Sequence, residues 1–146
     1  MNASFAIVVS RFNETITSEL KAGAIARLKE QGYTDHQMHV FDVPGAVEIP
    51  YAAQTLARRR SYDAIICLGA VIRGETSHYD YVCDQVSQGC QRVMLDESIP
   101  VIFGVLTTEN EAQAQDRCGG AHGHKGRDAA DCAIEMVAFS RENKKA

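Results

Sequence analysis

Hydrophobic and polar positions follow two different periods along the chain. Four compact apolar runs predict β-strands, and they cover residues 5–9, 38–41, 64–72 and 101–106. The run 64–72 has no polar alternation, which is typical of a central parallel strand covered on both faces. Elsewhere apolar residues recur at helical spacing, as at Ile16, Leu20, Ala24 and Leu28. The chain is therefore predicted to alternate strand and helix.

Local signals set the expected helix ends. Gln31-Gly32 ends the first helix, and Pro50 opens a second that runs to about residue 60. Ser77 and Asp80 match a capping box, which predicts a third helix from near His78 to about residue 95. A short helix at 111–117 and a final helix at about 126–140 are separated by a glycine-rich link.

Strand-then-helix units in this order predict an α/β fold. Right-handed crossovers favour a three-layer, flavodoxin-like sandwich with a four-stranded parallel sheet and helices on both faces. The length of 146 residues fits a single domain, 1–146. In open α/β sheets the ligand binds beyond the carboxyl ends of the strands. The candidate turns are therefore 11–13, 43–48, 73–78 and 107–108.

Composition narrows the class of protein. The net charge of −4 argues against a nucleic-acid-binding module. The 5 cysteines, without a C-x-x-C pair, resemble the reduced thiols of a cytoplasmic protein. No basic targeting segment precedes the first strand, and no apolar run reaches the ~18 to 20 residues that span a bilayer.

Several residues near the strand ends could carry chemistry. His78 could transfer protons at neutral pH, or it could be a solvated residue at a helix start. The turn 74–77 could bind an anion through free backbone N–H groups, or simply begin a helix. Arg117, beside the glycine link, could close over a phosphate or be a solvated charge. Phe12 and Phe103 could contact a planar ring or pack in the core, and Glu48 could meet ligand hydroxyls or favour its helix.

The glycine-rich link raises two further possibilities that its residues do not support. A P-loop around Lys125 lacks the preceding glycine and the following Ser or Thr. A zinc site formed by Cys118, His122 and His124 lacks a fourth ligand at credible spacing. From these residues alone we expect a small-molecule site that accepts a phosphate and contains no metal.

Four segments carry a resemblance to a known family. They are R-F-N at 11–13, V-P-G-A-V-E-I-P at 43–50, L-G-A-V-I-R-G-E-T-S-H-Y-D-Y at 68–81 and P-V-I-F-G-V-L-T-T at 100–108. In order and spacing, from residue 5 to about 137, the chain resembles 6,7-dimethyl-8-ribityllumazine synthases. The resemblance implies condensation of 5-amino-6-(D-ribitylamino)uracil with 3,4-dihydroxy-2-butanone 4-phosphate. Phosphate and water are released, and no cofactor or metal is needed. This is the penultimate step of riboflavin synthesis.

The resemblance also implies roles for individual residues. His78 would transfer protons, while Glu75 and Thr76 would hold the butanone phosphate opposite Arg117. The uracil and its ribityl chain would be surrounded by Phe12, Ala46, Val47, Glu48, Ala70, Val71 and Ile72, with Phe103 supplied by a neighbouring subunit. The chain departs from the family pattern at Val47, often aromatic in the family, and at Ala121 and His124, where lysine and asparagine are common.

The implied partners are small-molecule substrates, further copies of the chain and riboflavin synthase, with no nucleic acid or membrane. The family builds pentamers with active sites between adjacent subunits, and the sequence leaves pentamer, decamer and icosahedral shell open. Two other classes also stay open at this point: a non-catalytic flavin or lumazine carrier, and a shell-forming scaffold. A scaffold is expected to have lost His78 or Arg117, and both are present.

Overall fold

Parallel strands form the central sheet of the computed structural model, which describes residues 2–144. The strands are β1 (Phe5–Ser10), β2 (Met38–Val43), β3 (Ala64–Ile72) and β4 (Val101–Thr108). Within the described residues they make one four-stranded sheet in the order β2-β1-β3-β4. The strand order therefore reverses between β1 and β3, and the predicted parallel sheet is confirmed.

Helices cover both faces of this sheet, as predicted. They are α1 (Glu14–Glu30), α2 (Ile49–Ala57), α3 (His78–Glu97), α4 (Glu111–Asp116) and α5 (Lys125–Asn143). α1 and α5 pack together on one face, and α2 and α3 pack together on the other. Short 3-10 helices at Asp35–Gln37 and Ala46–Glu48 flank β2. The fold is a three-layer α/β sandwich.

The central strands β1 and β3 divide their side chains between two cores. In β3, Ile66 and Leu68 point into the core under α1 and α5, whereas Ile65 and Cys67 point into the core under α2 and α3. The whole of β1 is buried, and so is β3 except for Ile72, which is half-buried. Burial on both faces explains why the run 64–72 contains no polar residue, and β3 has exactly the predicted bounds.

Close packing between α1 and α5 depends on two glycines. Gly126 at the start of α5 touches the backbone of α1, so that a Cβ there would overlap the carbonyl of Leu20. The imidazole of His124 occupies the space beside Gly23 of α1. Its Nδ1 accepts the N–H groups of Gly126 and Arg127, at 3.1 and 3.3 Å, and so caps α5. His124 therefore has a structural role that its sequence context did not suggest.

An ion-pair network extends the same interface at the surface. Glu30 of α1 receives both terminal nitrogens of Arg127 at 2.8 Å and one of Arg27 at 3.1 Å. Hydrogen bonds from Arg127 first, and then from Arg27, lower the pKa of Glu30 to about 2. The carboxylate is thus charged at neutral pH and joins α1 to α5.

Some predicted boundaries differ from the structure. α2 ends at Ala57 rather than near residue 60, because the chain then turns and Arg60 adopts a left-handed conformation with φ of 59°. The glycine-rich link forms a small antiparallel hairpin, β5 (Cys118–Gly120) and β6 (Gly123–His124). None of the helices within 2–144 is both long enough and apolar enough to cross a membrane.

The predicted capping box at the start of α3 is wrong. Ser77 has helical backbone angles, φ −72° and ψ −1°, and makes no side-chain cap. The hydroxyl of Thr76 accepts the N–H of His78 instead, at 3.3 Å. The carboxylate of Asp80 is drawn to Arg73, at 3.3 Å, rather than back to the Ser77 backbone.

The helix contact at Gly126 predicts a large response to one methyl group. We expect Gly126→Ala to lower the free energy of unfolding by ~1–3 kcal/mol, because the added Cβ forces α1 and α5 apart. Gly74→Ala is the matched control, since a Cβ there meets no atom within 4 Å. Calorimetric melting at one protein concentration compares the two. Equal melting temperatures would show that the close approach is not required.

Candidate active site

A cavity of about 330 Å³ opens beyond the carboxyl ends of β1 and β3. This is where the strand order reverses, and such a position separates the adjacent loops and leaves a crevice. It is lined by Phe12, Asn13, Gly45, Ala46, Val47, Ala70, Val71, Ile72, Gly74, Thr76, His78, Tyr79 and Val82. The lining is largely apolar, with a few polar groups at one side.

The turn after β1 is fastened to both neighbouring strand ends. Asn13 has a left-handed backbone, with φ of 64°, and its side-chain amide donates to the carbonyl of Ala70 at 2.8 Å. Arg11 N–H and Phe12 N–H donate to the carbonyls of Val43 and Pro44, at 2.8 and 3.0 Å. The Phe12 ring is 72% exposed, so it stands at the cavity mouth with a free face.

The turn after β2 forms another part of the cavity wall, next to the turn after β1. Ala46 is buried and Val47 half-buried, and both line the cavity through the short 3-10 helix. Glu48 does not line it, because its Oε1 accepts the N–H of Gly45 at 2.9 Å. Within one chain the Glu48 carboxylate therefore holds the turn that presents Ala46 and Val47.

The loop after β3 is held by Arg73. Its backbone N–H donates to the carbonyl of Thr108 at 2.9 Å, which joins the ends of β3 and β4. Its guanidinium lies 4.4 Å from the ring centroid of Tyr79 and donates to Glu109 at 3.0 Å. These contacts fix the loop from which Thr76 and His78 reach the cavity.

His78 is the first residue of α3, and its exposed side chain lines the cavity. Tyr79 follows it and is half-buried between Arg73 and Cys83. Burial is the main reason that the pKa of Tyr79 is raised, and the Cys83 thiol adds to this. The Tyr79 hydroxyl is thus protonated at neutral pH, beside an imidazole that is open to solvent.

Sequence reasoning missed some residues of the cavity. Asn13 lies in a turn that the sequence marks as a candidate, and asparagine before a helix is a signal for the left-handed conformation. Val82 lies one helical turn after His78, so the same face of α3 could have been extended to it. Tyr79 had no such signal, because tertiary packing against Arg73 and the core under α2 and α3 sets the position of its ring.

The structure separates the predicted site residues into two groups. The cavity brings together Phe12, Ala46, Val47, Ala70, Val71, Ile72, Thr76 and His78. Glu48, Glu75, Phe103 and Arg117 do not line it. Phe103 is half-buried in β4 and packs against the core under α2 and α3.

Arg117 lies in another recess at the carboxyl end of β4, which we call the β4 recess. It has a volume of about 340 Å³ and is lined by Val105, Leu106, Thr107, Thr108, Arg117, His122, Lys125 and Asp128. The guanidinium of Arg117 donates from Nη1 to the carbonyl of Gln113 at 2.9 Å. One chain therefore presents the residues that line the cavity and Arg117 at different places.

Comparison with known proteins relates this arrangement to one family. The sequence model described as 6,7-dimethyl-8-ribityllumazine synthase matches residues 2–141. Curated relatives of that name from Coxiella burnetii, strains CbuG_Q212 and RSA 493 / Nine Mile phase I, are each 53% identical over 137 residues. Each alignment covers 94% of this chain and 91% of the relative.

Asn13 offers a direct test of how the cavity wall is held. Asn13→Gly keeps the left-handed backbone but loses the bond to Ala70, and should cost about 1 kcal/mol of unfolding free energy. Asn13→Ala also introduces backbone strain and should cost about 1 kcal/mol more. Chemical denaturation of the three proteins measures the order. The alanine variant matching the glycine variant would contradict the strain contribution.

Proposed function

The chain belongs to the 6,7-dimethyl-8-ribityllumazine synthase family, and on that premise we propose that the cavity beyond β1 and β3 is its active site. The protein is an enzyme, a transferase of riboflavin synthesis. It condenses 5-amino-6-(D-ribitylamino)uracil with 3,4-dihydroxy-2-butanone 4-phosphate and releases phosphate and water. We propose that residues 1–146 form a single domain.

The observation that carries the site proposal is the joint placement of Phe12 and His78 at the strand reversal. The exposed face of Phe12 suits stacking on the pyrimidine ring. Ala46, Val47, Ala70, Val71 and Ile72 supply apolar walls of a size that fits the ring. His78 lines the same cavity at the start of α3, where an imidazole can exchange protons with bound reactants.

The chemistry requires proton movement at each stage. The 5-amino group of the uracil attacks the butanone carbonyl with loss of one water, and phosphate is then eliminated. The ribitylamino nitrogen closes the ring on the second carbonyl that this elimination leaves, with loss of a second water. Both reactants are reactive by themselves, so holding them together supplies most of the acceleration, up to ~7–11 kcal/mol in well-oriented cases. Proton transfer by His78 contributes about 10²-fold in this proposal.

The phosphate half of the proposed site comes from two subunits. Glu75 and Thr76 lie in the turn before α3, whose first backbone N–H groups can favour a phosphate. Arg117 and Phe103 lie outside the cavity of their own chain. We therefore assign them to the site of a neighbouring copy, which requires a homo-oligomer, and propose the pentamer as its unit.

The remaining proposals concern location and partners. We propose a cytoplasmic enzyme, supported by the free thiols of Cys67, Cys83, Cys90, Cys118 and Cys132, all within the described residues. The proposed partners are the two small-molecule substrates, further copies of the chain and riboflavin synthase, without nucleic acid or membrane.

The activity is tested by mixing the protein with both substrates. Lumazine fluorescence should rise with matched release of inorganic phosphate, above the rate of the same mixture without protein. Light scattering on the same sample gives the assembly mass. Product formation no faster than the spontaneous reaction would contradict the enzymatic function, and tight riboflavin binding without turnover would favour a carrier.

We expect His78→Ala to lower kcat by about 10²-fold while remaining above the spontaneous rate. The reason is that positioning of the reactants survives the loss of the imidazole. His36→Ala is the matched control, because His36 lies in the 3-10 helix before β2, at the opposite end of the strands. Steady-state rates with both substrates saturating decide this, and complete loss of turnover in folded His78→Ala would refute the division of roles.

Mixed assemblies test the shared site. When His78→Ala and Arg117→Ala subunits assemble at random in equal amounts, about a quarter of the sites between subunits contain both wild-type residues. At low butanone phosphate concentration the mixture should then exceed the mean activity of the two parent variants severalfold. A mixture that equals this mean would place His78 and Arg117 in one chain's site.

A further inference from the structure

The hairpin between α4 and α5 is held from its base by Asp116. This residue ends α4, directly before Arg117 and strand β5. Its Oδ1 accepts the N–H of Ala121 at 2.7 Å, and its Oδ2 pairs with Nδ1 of His122. Ala121 and His122 are the two residues between β5 and β6, so one carboxylate holds the whole hairpin turn.

The contact is close as well as charged. A Cβ at Gly120 would overlap both the carboxylate and the backbone of Asp116, which shows how tightly the hairpin lies on this residue. The His122 imidazole first, and then the Ala121 N–H, lower the pKa of Asp116. The carboxyl group is therefore ionised at neutral pH, as its two contacts require.

The base of the hairpin carries the cations of the β4 recess. Lys125 N–H donates to the carbonyl of Arg117 at 2.8 Å, which ties together the residues that precede β5 and follow β6. Arg117 and Lys125 both line the recess, and so does His122 from the turn. Asp116 thus holds the turn of a hairpin whose base is joined to the Arg117 backbone, while the Arg117 side chain itself contacts the carbonyl of Gln113.

We propose that Asp116 is a positioning residue for Arg117, acting by clamping the turn of the 118–124 hairpin. This rests on the proposed role of Arg117 in holding the butanone phosphate. Asp116 itself does not line the recess, and its carboxylate would repel a phosphate. Its effect is on geometry: with the turn released, Arg117 samples more orientations, and an anion must order the side chain when it binds.

The role predicts a selective kinetic effect. Asp116→Ala raises the KM for 3,4-dihydroxy-2-butanone 4-phosphate about tenfold, leaves the KM for the ribitylaminouracil within about twofold, and changes kcat little. Asp116→Asn retains an acceptor for the Ala121 N–H and gives a smaller increase. Glu111→Gln is the matched control, an exposed acid of the same helix without a contact to the hairpin in the described residues.

A purely structural role would instead lower the melting temperature or the active fraction and leave the KM of the remaining enzyme unchanged. Melting and light scattering therefore accompany each measurement. If Asp116→Ala fails to assemble, Asp116→Asn decides the test, since it removes the charge that faces His122 and changes no residue that lines the recess. An unchanged phosphate-substrate KM in the folded variants overturns the proposal.

Combining Asp116→Ala with Arg117→Ala distinguishes the positioning role of Asp116 from the proposed phosphate-binding role of Arg117. Asp116→Ala is introduced both into the wild type and into Arg117→Ala, and the fold increase in the phosphate-substrate KM is measured in each background. If Asp116 acts through Arg117, the fold increase in the Arg117→Ala background is at most half of that in the wild type. An equal increase in both backgrounds overturns the positioning role. If Arg117→Ala alone leaves the KM unchanged, the phosphate role of Arg117 fails first. If Arg117→Ala raises it and the Asp116 variants do not, only the positioning proposal fails.

Discussion

The burial of β1 and β3 on both faces is the constraint on which the rest of the structure depends. A strand covered on both sides has little place for polar side chains, since each buried polar group without a partner costs free energy. The exception in β1 is its last residue, Ser10, whose buried Oγ has no hydrogen-bond partner within the described residues. The functional groups are thereby confined to the turns beyond the strand ends. Because β2 and β3 lie on opposite sides of β1, these turns diverge and leave a cavity between them.

Hydrogen bonds to backbone carbonyls hold these turns in place as walls of the cavity. Asn13 ties the first turn to Ala70 of β3, Arg11 ties it to Val43 of β2, and Arg73 ties the third turn to Thr108 of β4. Each link joins residues far apart in the chain at the carboxyl edge of the sheet. The cavity-lining residues therefore sit on short, anchored segments, and this is the rigidity that the proposed reaction, which depends on positioning, needs.

The edge strand β4 divides the chemistry of one chain. On one side lies the cavity with Phe12 and His78, and beyond β4 lies the recess with Arg117 and Lys125. A family member that acts on a flat pyrimidine ring and on a phosphate needs both kinds of surface. The separation within one chain is the physical argument for the proposed sharing of a site between copies, and the hairpin held by Asp116 lies at the proposed phosphate half.

Local sequence determined the elements whose patterns are strong. The unbroken apolar run 64–72 could only be a doubly covered strand, and the helical spacing from Ile16 to Leu28 specified α1. The resemblance of residues 11–13, 43–50 and 68–81 to the family indicated most of the predicted side chains that the fold brings together in the cavity. Short-range pattern was enough here because each signal arises from neighbours along the chain.

Tertiary contacts decided the rest. Ser77 and Asp80 have the pattern of a capping box, but Arg73 attracts the carboxylate and Thr76 takes the cap. His124 has a structural role because α1 packs beside it, and Asp116 has one because the hairpin folds onto it. The Glu48 carboxylate accepts the N–H of Gly45. Whether Phe103 and Arg117 line the cavity of their own chain depends on distances across the sheet, which no spacing along the sequence encodes; the structure places both outside it.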